Sequence, residues 1–200
     1  MTYRTWRRIL SPVLVPLTRA CHGVDPNHIT LLSLGLAVAA GAALARALAV
    51  AGIALLSLHL VADYLDGAVA RASSRMSKLG DFLDHACDRV ADIACLGGLA
   101  LSGWVPPVVA LGALAGTQFL AVVNTQIEAS TGVRRDPVIS RTDGHVALIG
   151  VLATRPIWPA LLAWALLALG PLAFLTGVAR LVQAARVLAR ASRAERNQLH

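Results

Sequence analysis

Long apolar stretches alternate with short polar ones along nearly the whole of this 200-residue chain. The first runs from about residue 29 to 48 and the second, after a very tight turn, from 50 to 71. A third starts at Gly80 and fades near Ser102, a fourth covers 109 to 128, and a shorter fifth covers 145 to 154. A sixth begins near Ala160 and turns into a basic amphipathic tail after Arg180. About 20 apolar residues in a helix cross the hydrocarbon of a bilayer. The pattern therefore predicts an all-α integral membrane protein with six transmembrane helices in one bundle, residues 29–189. Residues 1–22 are read as an N-terminal amphipathic juxtamembrane helix, with Trp6 and leucines inward and Arg4, Arg7 and Arg8 towards lipid headgroups. The prolines of "ILSPVLVPL" and the Arg of "LTRAC" argue against a cleaved signal peptide there. Residues 190–200 complete the single domain as a basic tail, expected to anchor on headgroups and not to bind nucleic acid.

Composition agrees: 56% of residues are hydrophobic and only 14% charged, with mean hydropathy +0.65. Soluble domains carry roughly a quarter charged residues, so that class is set aside. With the N-terminus in the cytoplasm, Arg4, Arg7, Arg8, Arg71, Arg75, Lys78, Arg134, Arg135, Arg141 and the tail arginines share one side; the other keeps only Arg46 and Arg155. This asymmetry predicts a multi-pass protein of the cell membrane with that first side in the cytoplasm. Cys21, Cys87 and Cys95 lack zinc-ligand spacing and are read as small buried hydrophobes.

Against this apolar background, "DYLDGAVARASSRMSKLGDFLDHACD" places five carboxylates in one segment, Asp63 to Asp88. Each is costly near hydrocarbon and needs a partner or a task. Asp63 and Asp66 share a helix face, as do Asp84 and Asp88. The short polar turn between them predicts two antiparallel neighbouring helices, bringing four carboxylates together at the cytoplasmic end. Such an oxygen-only set suits Mg²⁺ or Mn²⁺, and two ions can clamp a phosphoryl transfer. Gly67 and Ala70 leave room for a ligand, Arg71 offers a planar fork to a phosphate, and Gly80 opens a helix whose N-terminus favours anions. Asp81 stands outside the set, in a first helical turn, and Asp92 is expected to pair with Arg89 or a neighbour.

The spacing D-x2-D-G-x2-A-R-x8-G-x3-D-x3-D through Asp63, Asp66, Gly67, Ala70, Arg71, Gly80, Asp84 and Asp88 resembles the signature of the CDP-alcohol phosphatidyltransferase family. Eight fixed positions coincide by chance at roughly one start in several billion. The "PN-x-x-T"-like start at Asn27 and Thr30 agrees. The resemblance implies that Asp63, Asp66, Asp84 and Asp88 hold two metal ions, with Asp88 also the general base. It implies that Pro26, Asn27, His28, Ile29, Gly67, Arg71 and Ser77 contact a CDP-linked lipid, with Gly80 beside them. An alcohol acceptor would attack the lipid-side phosphorus and CMP would leave; a homodimer is a further implication.

The acceptor is less legible. Arg134, Arg135 and Arg141 are candidates for a phosphorylated alcohol entering from the cytoplasm. "IEASTG" resembles the inositol-phosphate branch, but "VNTQ" stands where that branch has Lys and Arg, and "SRTDGH" departs from its Arg-rich repeat. Glycerol 3-phosphate is therefore the default expectation, with inositol phosphate or another polyol as the alternative. Outside the class, intramembrane carboxylates also serve cation- or proton-coupled transporters, which lack the glycines and Arg71 at these spacings.

Overall fold

The computed structural model describes residues 12, 14–131 and 141–198, and the side chains of these other than 141, 142 and 190–198. A helical segment at 14–20 precedes six long helices among the described residues: α1 (Pro26–Ala45), α2 (Ala49–Ala72), α3 (Lys78–Leu101), α4 (Pro107–Thr131), α5 (Arg141–Thr154) and α6 (Pro159–Gln198). Arg4, Arg7, Arg8, Trp6, Arg134 and Arg135 lie outside the described residues.

Local chemistry sets the boundaries. Asp25 caps α1 by accepting from the Asn27 N–H, and Pro26 takes the first turn, where its missing N–H costs nothing. The Arg46–Leu48 turn is made by Ala47 in the left-handed region (φ 58°), which brings α2 straight back along α1. Ser77 caps α3 through its Oγ, which accepts from the Gly80 N–H at 3.0 Å; α3 thus starts two residues before the Gly80 expected from the pattern. The 40 residues of α6 continue past Arg180 and through Pro171. At 1.5 Å per residue α6 is about 60 Å long, twice the hydrocarbon thickness, so its basic half projects beyond a bilayer.

Length and apolarity qualify α1, α2, α4 and residues 159–189 of α6 as membrane-crossing helices. α3 carries Asp81, Asp84, Asp88, Arg89 and Asp92, and α5 has only 14 residues, so neither qualifies on those grounds. Exposed Leu31, Leu32, Val50, Leu58, Val122 and Leu175 give the bundle an apolar outside. With lipid outside, burial of apolar surface does not drive helices together; close packing does, through small residues. A β-carbon on Gly41 would strike the backbone of Ala94, and one on Gly98 the backbone of Gly41, so α1 and α3 touch backbone to backbone. Gly116 and Gly170 do the same for α4 and α6.

α1 is consequently the centre of one half of the bundle, packed on both α2 and α3. α4 and α6 form the other half, α3 joins α4, and α5 lies against α2 and α6. This corrects one expectation. α2 and α3 are not packed neighbours, because the glycines let α1 wedge between them, and they face each other across a gap at the end that carries the carboxylates. At the other end the Arg155 guanidinium sits 4.1 Å over the Trp104 ring, tying the α3–α4 and α5–α6 connections by a cation–π contact.

Candidate active site

The gap between α2 and α3 is bridged by side chains. Carboxylate oxygens of Asp63, from α2, and of Asp84 and Asp88, from α3, lie within 4.8 Å of one another, each residue half-buried. At an effective dielectric near 20, two charges at that distance repel by on the order of 3 kcal/mol. A cation placed among three such groups would relieve that repulsion. Oxygen-only donors at the mouth of a rigid bundle fit a hard divalent ion, whose Mg–O distance of about 2.1 Å puts oxygens on opposite sides of one ion about 4.2 Å apart. The observed spacing needs only slight tightening to meet that.

Asp66 is placed differently from the other three. Its side chain is buried, and its Oδ2 accepts from Thr30 Oγ1 of α1 at 2.7 Å. Asp66 is not among the three carboxylates that lie within 4.8 Å of one another; the Thr30 hydroxyl holds its Oδ2 against α1. Thr30 Oγ1 also lies 3.2 Å from the Pro26 carbonyl oxygen, so the hydroxyl sits between the start of α1 and the carboxylate end of α2. Thr30→Val would leave a buried carboxylate short of one donor. We expect it to lower stability by about 1–3 kcal/mol, read as a fall in melting temperature in detergent, with Thr30→Ser close to the unsubstituted protein.

The positions expected around a nucleotide gather in two groups. In the first, a β-carbon on Gly80 would lie 3.3 Å from both Asn27 Oδ1 and Ser77 Oγ, so these residues share one corner at the starts of α1 and α3. His28 is exposed beside them. Ile29 does not join them: its side chain packs with Leu14, Tyr64, Leu65 and Val69, and Pro26 is buried too. Helical periodicity turns Ile29 inward once Asn27 and His28 face out. In the second group Arg71 folds back along its own helix, its Nη1 3.2 Å from where a Gly67 β-carbon would stand, so glycine there keeps the guanidinium close to the backbone. Arg71 also borders a cavity of about 420 Å³, walled by Leu14, Val15, Arg19, Tyr64 and Ala68.

Other polar residues organise the ground around the carboxylates. Asp81 lies 3.9 Å from His85 Nδ1 and takes no part in the three-carboxylate group. Asp92 meets Arg89 Nη1 at 3.8 Å, as expected, and also His145 Nε2 at 3.5 Å. Gln118 of α4 donates to the Arg89 carbonyl at 3.0 Å, fixing the register of α4 on α3. Sequence reasoning placed Arg180 among the tail cations, yet its Nη1 donates to Asn124 Oδ1 at 2.7 Å. No local pattern marks that contact, since the two residues are 56 apart in the chain. Arg141 is the first residue of α5, and its side chain lies outside the described set, as do Arg134 and Arg135 altogether.

This arrangement of carboxylates, glycines and arginine at one end of a helical membrane bundle defines a phosphotransferase class, and the chain belongs to the CDP-alcohol phosphatidyltransferase family, whose sequence model matches residues 24–175. It is 35% identical to the archaetidylinositol phosphate synthase of Aeropyrum pernix over 130 residues, which are 64% of this chain and 66% of that one. It is 29% identical to the archaetidylinositol phosphate synthase of Methanothermobacter thermautotrophicus over 178 residues, 88% of each. Among solved structures it resembles the phosphatidylinositol phosphate synthase of Mycobacterium tuberculosis. With CDP-DAG bound, that enzyme superposes with TM-score 0.74 at 26% identity, over 88% of this chain and 94% of that one. Its complex with manganese and citrate gives TM-score 0.73 at 25% identity, over 84% and 87%.

Proposed function

We propose that this protein transfers the substituted phosphate of a CDP-linked lipid to inositol phosphate, releasing CMP. The relatives support this acceptor in place of the glycerol 3-phosphate expected by default: they are named for archaetidyl and for phosphatidyl products, but inositol phosphate is common to both. The observation in the structure that carries the reading is Arg180. The sequence lacks a cation on the last turns of α4, and Arg180 brings one to Asn124 from α6. Its height fits. Gln118 is level with Arg89, and Asn124 is six residues further along α4, about 9 Å towards the carboxylate end. Asp84 is five residues from Arg89 in the same direction, about 7.5 Å, so Asn124, Arg180 and Asp84 share one level. A guanidinium there can take an acceptor phosphate bidentately.

In this reading Asp63, Asp84 and Asp88, with Asp66 beside them on α2, would hold Mg²⁺ or Mn²⁺, two ions as the family resemblance implies, and the metal would supply a Lewis acid to the phosphoryl group. The manganese-bound relative supports a divalent ion. Asp88 accepts the proton of the acceptor hydroxyl. The hydroxyl oxygen forms a bond to the lipid-side phosphorus as the bond from that phosphorus to the CMP oxygen breaks, and CMP leaves with the electron pair. Arg71 balances charge on the departing phosphate, while Asn27, His28, Ser77 and Gly80 border the nucleotide. The cavity beside Arg71 offers the lipid portion an apolar wall. The CDP-DAG-bound relative supports that donor class. All six helices cross the membrane, the segment at 14–20 lies along the surface, and the arginine asymmetry sets the site towards the cytoplasm.

Arg180→Gln tests the acceptor assignment. It is expected to raise the KM for inositol phosphate about tenfold or more while leaving the KM for CDP-lipid within about twofold. An unchanged acceptor KM, or faster CMP release with glycerol 3-phosphate than with inositol phosphate in the unsubstituted protein, contradicts it.

A further inference from the structure

One helical turn below the carboxylates the bundle contains a second polar cluster that the reaction does not use. His59 precedes Asp63 by four residues on α2, and Asp92 follows Asp88 by four on α3, so both lie about 6 Å deeper than the reaction centre. His145 of α5 meets them. Its Nε2 is 3.5 Å from Asp92 Oδ1, and its ring stands edge-on to His59, centroids 5.5 Å apart at 80°. His59 Nδ1 in turn lies 2.8 Å from Ser33 Oγ of α1. His59 and His145 are buried, and the Asp92 side chain is only 12% exposed. Four helices thus meet on one buried polar contact set, where apolar packing alone would hold α1, α2 and α3 together.

The exception is α5. It is short, it packs on α2 and α6, and the Asp92 contact is its polar tie to the helix that carries Asp84 and Asp88. A slip along an apolar interface costs little, whereas separating His145 from Asp92 would break the polar contact that joins α5 to α3 and leave Asp92 only its neighbours on α3, Arg89 among them. The contact therefore sets register. α3 and α5 run in the same direction, and Arg141 precedes His145 by the four residues that separate Asp88 from Asp92. With His145 level with Asp92, the first residue of α5 stands level with Asp88.

We propose that His145 is a positioning residue for the acceptor: through Asp92 it fixes the start of α5 at the height of the catalytic carboxylates. This rests on the reading that an acceptor phosphate is held at that end of the bundle. The test uses the full chain in nanodiscs with CDP-DAG, Mg²⁺ and inositol phosphate. His145→Leu is expected to raise the KM for inositol phosphate about tenfold or more, with the KM for CDP-DAG within about twofold. His145→Gln keeps a donor near the place of Nε2 and should return the acceptor KM to within about threefold of the unsubstituted value. Asp92→Ala, which removes the oxygen that meets His145 Nε2, should give the same acceptor-selective rise and is the variant to read should the leucine variant fail to fold. Equal rises in both KM values, a fall in kcat alone, or a glutamine variant no better than leucine overturns the proposal. Absence of turnover with inositol phosphate in the unsubstituted protein refutes the acceptor assignment instead, and the role of His145 is then read with the acceptor that does react.

Discussion

Asp88→Asn is expected to lower CMP release by about three orders of magnitude or more while the protein remains folded and still binds CDP-lipid. Asparagine keeps the shape of aspartate and can still offer one oxygen, but it cannot take a proton at neutral pH. General-base catalysis accounts for roughly 10²–10⁴ in rate, and Asp88 also contributes one of the three carboxylates gathered within 4.8 Å, so its loss removes two functions together. Asp84→Asn removes only the second of these and should be the milder change. Single-turnover CMP release from preformed protein–CDP-lipid complex separates the effects, since it reads chemistry without product release. An Asp88→Asn protein that turns over within tenfold of the unsubstituted rate would mean the base lies elsewhere.

Removing divalent metal should abolish turnover completely and reversibly. Three carboxylates from two helices lie within 4.8 Å of one another, and a bound divalent ion relieves their mutual repulsion. The same linkage makes the metal a stabiliser of the fold: an ion at a hundredfold excess over its Kd adds about 2.7 kcal/mol. EDTA is therefore expected to end CMP release and lower the melting temperature, with Mg²⁺ or Mn²⁺ restoring both. Ca²⁺ prefers more ligands at longer distances and should restore stability better than turnover. Asp63→Asn should lose most of the metal-dependent shift in melting temperature; Thr30→Val should keep it, because Thr30 acts on Asp66, outside the close group. A melting temperature indifferent to EDTA would place the metal elsewhere.

The carboxylate cluster was legible because helical spacing alone puts Asp84 with Asp88 and aims Asp63 at them. What spacing does not reveal is which oxygen a neighbouring helix claims. Asp66 occupies a matching position, yet the Thr30 hydroxyl of α1 takes it, and that depends on α1 lying between α2 and α3. The short turn after Arg71 pointed to adjacent helices. Gly41 and Gly98 decided otherwise, since their lack of side chains lets α1 and α3 touch, and two glycines in apolar runs carry no such label in sequence. Ile29 is a related case: Asn27 and His28 at the start of α1 face out, and the 100° step of the helix turns the Ile29 side chain into the core. The acceptor end was hardest to read. Arg180 looked like one more tail cation, and His145 only marked the start of a short apolar stretch; tertiary contacts give each a partner far away in sequence. The basic loop before α5, named by charge, lies outside the described residues.

A single transfer reaction with two products, CMP and a phosphorylated inositol lipid, is expected. Purified protein in vesicles containing CDP-DAG and Mg²⁺ can be supplied with inositol phosphate labelled in its phosphate, and both CMP and lipid-extractable label followed. The account predicts that label enters the lipid in one-to-one proportion with CMP, that EDTA stops both, and that glycerol 3-phosphate replaces inositol phosphate poorly. CMP released without label in the lipid, or label incorporated only from glycerol 3-phosphate, would contradict it.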